Sequence, residues 1–153
     1  INDLRALDRP VLLKLTGSRG KSFHGTLTAL DDRTATLSSG AEDYPVPVEE
    51  LVRHWFGEYE LLWQPPPGYR RALMPGDRGV TVEWLARRFD ILQQRPDRPV
   101  AGRVYDEALY REVREFQAHE GLDADGLVGP LTLIRLNNRT GGTQPRLSAT
   151  AEE

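Results

Sequence analysis

Chemistry in a protein needs groups that attack, shuttle protons or hold metals, and this chain of 153 residues carries few of them. It has no cysteine, which removes thiol nucleophiles, disulfides and cysteine metal sites in one step. Its histidines are His24, His54 and His119, and no two stand at a metal-pair spacing such as His-Glu-x-x-His. His24 lies in Phe23-His24-Gly25-Thr26-Leu27, where a half-exposed strand histidine is the simplest reading. The 23 acidic residues offer many carboxylates, but no pattern singles out the close pair that glycoside hydrolysis requires. No Gly-x-x-x-x-Gly-Lys-Ser/Thr loop is present to cradle a phosphate. The residue types point to binding without catalysis, metal or cofactor.

The densest run of binding-type groups lies late in the chain. Phe116-Gln117 is followed by Gly121-Leu122-Asp123-Ala124-Asp125-Gly126-Leu127-Val128-Gly129-Pro130-Leu131-Thr132. Asp125-Gly126 suits a tight turn with positive φ at the glycine. Gly129 sets a helix start, Pro130 fits its first turn, and Thr132 can hydrogen-bond near that start. Gln117 stands one residue past an apolar core position, so its amide can point toward the turn. Asp125 can either cap that turn or accept a ligand hydrogen bond. A cleft is expected here, where backbone groups and polar side chains converge. Loss of the Gln117 amide is expected to weaken binding with little effect on melting.

Two kinds of element must position these residues. Before Gln64 the signals are those of strands: Val11 to Thr16, Phe23 to Leu30 and Arg33 to Ser38, with Asp31-Asp32 making a hairpin of the last two. Val48 to Trp55 reads as a short helix with Leu51, Val52 and Trp55 inward, and Glu58 to Trp63 as a closing strand. After Tyr69 the period becomes helical. Val82, Leu85, Phe89 and Leu92 form one apolar stripe. Asp106 can N-cap a second helix whose core face is Leu109, Val113 and Phe116, and Gly121 stops it. Leu133, Ile134 and Leu136 give the third helix its buried side. The fold class is α+β: a small antiparallel sheet over 1–63, a proline-rich linker over 64–73, a three-helix domain over 74–138 and a tail over 139–153.

Composition bounds the partners. Hydrophobic residues at 39% and charged residues at 28% describe a foldable chain rather than a disordered one. A net charge of −3 argues against nucleic acid as a partner. No apolar run reaches the roughly 18 residues of a membrane span. The start, Ile1-Asn2-Asp3-Leu4, has neither an initiator methionine nor a signal pattern, so a piece of a longer protein is expected.

Gly76-Asp77-Arg78-Gly79-Val80, Val82-Glu83-Trp84-Leu85, Phe116-Gln117 and the Gly121–Thr132 run together resemble the peptidoglycan-binding domains found beside many wall hydrolases. That resemblance implies a helical domain that binds cell-wall glycan without cutting it. Peptidoglycan presents hydroxyls, acetamido groups and stem-peptide carboxylates, so Arg78, Tyr105, Gln117, Asp125, Gly126, Gly129 and Thr132 become the candidate binding residues.

Leu7-Asp8-Arg9-Pro10-Val11-Leu12-Leu13-Lys14-Leu15 and Trp55-Phe56-Gly57-Glu58-Tyr59-Glu60-Leu61-Leu62-Trp63-Gln64-Pro65-Pro66 extend the likeness. With them the chain resembles the periplasmic region of the general secretion pathway A (ExeA-like) ATPases of type II secretion. The resemblance implies a periplasmic fragment of an inner-membrane protein, with a separate ATPase domain in the parent. It also implies a secretion pathway B component and, through it, the outer-membrane secretin as partners, and a possible homo-oligomer. The first segment resembles the second half of papain-like C39 peptidases, with His24 where that family keeps its catalytic histidine. Ser38-Ser39-Gly40 stands where an Asp-Pro is expected, and the thiol is missing, so this half is expected to be inactive. The rival reading is a protein-interaction module with vestigial glycan binding, docking a partner on an exposed strand edge within residues 11–38.

Overall fold

The computed structural model describes residues 1–61, 63–96, 99–142 and 144–147. It divides into two compact units, one over 1–63 joined by the described residues 144–147, the other over 64–142.

The first unit begins with a short helix, α1 (Asn2–Leu7), which the sequence patterns do not announce. Strands β1 (Val11–Thr16), β2 (Ser22–Leu30), β3 (Thr34–Ser39) and β4 (Glu42–Pro47) follow, then α2 (Val48–His54) and β5 (Trp55–Leu61). All neighbours pair antiparallel, in the order β4-β3-β2-β1-β5. Alternation explains the register. Val11, Leu13 and Leu15 of β1 are buried while Leu12, Lys14 and Thr16 are partly exposed. Leu27 and Ala29 of β2 and Ala35 of β3 are likewise buried. Leu4 and Leu7 of α1 and Leu51 of α2 complete the buried apolar set of a unit too small to spare any of it. Asp31 makes the β2–β3 turn by accepting from the Arg33 and Thr34 amides, each at 2.7 Å. Arg5 of α1 donates to the Asp31 carbonyl.

Several expectations need correction here. Val52 is exposed, because on a helix of two turns only Leu51 points fully inward. The closing strand starts at Trp55, earlier than Glu58, and Leu62 lies outside the described residues. β1, β2 and β3 are all internal strands, so the edge expected within residues 11–38 is confined to the Ser22–Gly25 end of β2, which has no partner on β3. The edges are β4, which carries Pro45 and Pro47, and β5, which bulges at Gly57 with φ 93°. Both devices discourage strand addition.

Among the described residues the second unit has three helices, α3 (Val80–Leu92), α4 (Glu107–His119) and α5 (Pro130–Thr140). Val82, Leu85 and Phe89 meet Leu109, Val113, Phe116, Leu133, Ile134 and Leu136 in one fully buried set. Phe89 and Phe116 pack edge to face, ring centres 5.9 Å apart. Asp106 caps α4 by accepting from the Leu109 amide at 2.9 Å. The proline-rich segment is not a free linker. Pro66 is buried, Thr81 donates to the Pro67 carbonyl, and Leu73 exchanges backbone hydrogen bonds with Val128. The last helix runs on to Thr140, past residue 138. Residues 144–147 are no loose tail, since Arg146 pairs with Asp8 at 3.3 Å, and 148–153 lie outside the described residues.

Candidate functional site

The turn between α4 and α5 is organised around one side chain. Gln117 is 2% exposed and uses both ends of its amide. Its Oε1 accepts the Gly126 N–H at 2.8 Å. Its Nε2 faces the Leu127 carbonyl at 2.9 Å and Asp125 Oδ1 and Thr132 Oγ1 at 3.2 Å each. The turn is thus stapled from beneath by a residue that α4 delivers, in its last turn, at the edge of the core. Asp125 closes the turn locally, its Oδ1 also accepting from the Leu127 amide at 2.8 Å. Gly126 has φ 76°, and a Cβ there would stand 2.0 Å from the Tyr110 ring, so both its conformation and its surroundings demand glycine. Tyr105 is fully buried and donates its hydroxyl to the Gly126 carbonyl; burial pushes that hydroxyl's pKa above its usual range.

Above this staple lies a cleft of about 420 Å³. Gln117, Asp125, Gly129 and Thr132, four of the residues expected from the sequence, line it. Gly126 is buried just behind. The cleft does not include Arg78, which is exposed and pairs through its backbone with Val104, or Tyr105, which supports the turn from inside. Gln117 is equally a support: its hydrogen-bonding groups are spent within the protein, so it shapes the cleft instead of reaching for a ligand. The sequence reading missed the walls, Leu122, Leu127 and Leu131, and the carboxylate of Asp123. Leu127 and Leu131 are 44% and 49% exposed. A signal existed, because Leu131 falls outside the Leu133–Ile134–Leu136 core stripe.

The first unit has its own cleft, of about 440 Å³, lined by Leu15, Phe23, Leu37 and Tyr44 with His24 and His54 among them. His54 is engaged with the Thr16 carbonyl at 2.6 Å and Glu50 at 3.0 Å. His24 is exposed on β2 opposite Lys14. His119 belongs to the other unit. Among the described residues no three His, Asp or Glu side chains are grouped to hold a metal.

Residues 78–136 match the PG_binding_1 family of peptidoglycan binding domains. The chain is similar to General secretion pathway protein A of Aeromonas hydrophila, 37% identical over 146 residues, or 95% of this chain and 26% of that protein. Among solved structures it matches a periplasmic domain of the EpsAB fusion protein of the Vibrio vulnificus type II secretion system. There the TM-score is 0.62 and the identity 26%, over 94% of this chain and 63% of the other. Over residues 78–136, then, this chain resembles a peptidoglycan binding domain, and over most of its length a general secretion pathway A protein, of which it spans about a quarter.

Proposed function

We propose that the chain is the non-catalytic wall-binding part of a type II secretion protein. It holds the parent against peptidoglycan in the periplasm while the outer-membrane secretin is put in place. The observation that carries this reading is the coincidence of the family match over 78–136 with a formed cleft at the α4–α5 turn. The finer parts rest on the resemblance: an inner-membrane anchor and an ATPase domain elsewhere in the parent, and a B component as the link to the secretin. The sheet unit fits a C39-like half without peptidase chemistry, since the chain has no thiol and His24 has no orienting carboxylate hydrogen-bonded to it among the described residues. No helix among the described residues is long and apolar enough to cross a membrane.

Co-sedimentation with purified, protein-free sacculi tests the proposal. The chain is expected in the pellet, and Leu127→Glu with Leu131→Glu is expected to leave it in the supernatant while its circular dichroism is unchanged. Failure of the wild-type chain to sediment would remove the proposal.

A further inference from the structure

Peptidoglycan offers a binding cleft two chemically different faces. The glycan strand has pyranose rings, hydroxyls and acetamido groups and carries no cation. The stem peptide has amide N–H groups, alanine methyls and the free ammonium of its diamino acid. Protein sites for pyranose rings generally use an aromatic side chain as a stacking platform. The α4–α5 cleft has none: its walls are Leu122, Leu127, Leu131 and Pro130, and no aromatic or cationic side chain lines it.

Its charged groups are two exposed carboxylates. Asp125 spends Oδ1 on Gln117 and the Leu127 amide. Asp123 makes no hydrogen bond or ion pair among the described residues. Arg114 reaches the same loop, but its Nε–H goes to the Ala124 carbonyl and the residue does not line the cleft. The complement of aliphatic walls beside the unpartnered Asp123 carboxylate is a short apolar side chain next to a cation or a run of N–H donors.

We infer that this cleft takes the stem peptide of peptidoglycan and not the sugar face, with the ammonium of the diamino acid at Asp123 and an alanine methyl between Leu127 and Leu131. The inference rests on the proposed wall binding and adds to it the part of the polymer that is read.

The test uses the whole chain, labelled for amide NMR, and four probes. They are intact sacculi by sedimentation, glycan strands stripped of peptide, the free L-Ala–γ-D-Glu–diaminopimelate tripeptide, and the same tripeptide acetylated on its side-chain nitrogen. The tripeptide should shift the amides of residues 121–132 and stripped glycan should not. Acetylation of the probe, or Asp123→Asn in the protein, should each raise Kd roughly tenfold, the size expected for losing one charge-assisted hydrogen bond. Stripped glycan shifting the same amides, a tripeptide that shifts none of them, or an acetylated probe binding as tightly as the free one would overturn the stem-peptide assignment, even with sacculi bound. No binding to sacculi either would overturn the wall-binding reading beneath it. The acetylated probe keeps the test independent of how the Asp123 variant folds.

Discussion

Replacing Gln117 by alanine should unfold the α4–α5 turn before it affects any ligand. The side chain is 2% exposed and is the partner of the buried Gly126 N–H. Stranding that donor without water costs about 1–3 kcal/mol. The Leu127 carbonyl loses its bond as well, but it lies beside the open cleft, where water substitutes, so it adds little. The deleted methylenes leave a small cavity that costs about 1 kcal/mol. The sum is about 2–4 kcal/mol. With a urea m-value of about 1–2 kcal/mol/M, the midpoint of the helical unit should fall by roughly 1–4 M. Trp84, on α3, reports that unit when Trp55 and Trp63 are replaced by phenylalanine. Hydrogen exchange should show Gly126 N–H protected in the parent and fast in the variant. A midpoint shift below about 0.3 M, with Gly126 still protected, would refute the staple and return Gln117 to the role of a ligand contact.

Gly126→Ala should be worse than its size suggests, because φ 76° and the Tyr110 ring both oppose a Cβ; failure to reach native ellipticity is expected, and a melting temperature within a few degrees of the parent would contradict it. Asp106→Ala removes the side-chain cap of α4 and should cost about 0.5–2 kcal/mol in urea unfolding, with Asp106→Asn recovering most of it. The Arg71–Asp77 pair, which also takes the Met74 amide, should make the helical unit acid-sensitive. The Arg71 guanidinium and the Met74 N–H hold the Asp77 carboxyl below its ordinary value of 3.8. Its contribution is therefore complete above that value and is lost as the pH falls through it and below. Subtracting an Asp77→Asn titration from the parent's, by thermal unfolding between pH 2 and 6, should isolate that loss; parallel curves would argue that the pair contributes nothing.

The sequence made the helical unit legible because its signals agree at every level. The Val82–Leu85–Phe89 stripe, the Asp106 cap and the Gly129-Pro130 start all lie on elements that form as read. The sheet was readable wherever alternation was clean, as in β1, and hidden where burial was partial. In β4 every residue but Val46 is exposed, so Glu42–Pro47 lacks an apolar rhythm and its two prolines read as loop. α1 has six residues and one polar face, too short for a period. At the site, the sequence located the turn but inverted some of the roles. Nothing in Phe116-Gln117 tells whether an amide at the edge of a core looks outward or in. The answer depends on Gly126 N–H needing an acceptor, which only the folded turn reveals. The leucine walls were missed because an exposed leucine looks like any other until a cleft opens beside it.

The first unit is discontinuous in sequence: residues 144–147 return to it after the helical unit has been made, held by the Arg146–Asp8 pair. Mechanically, this makes the helical unit an insertion whose two ends both join the sheet unit. Tension drawn through the backbone between residue 1 and residue 147 loads the sheet unit and bypasses the three helices. Tension applied at the cleft leaves the helical unit by two covalent routes, at residue 64 and residue 142, in place of one. The second route comes back through residues 144–147, where Arg146 meets Asp8, so a pull on the helical unit is shared between two strands of chain that both end on the sheet unit.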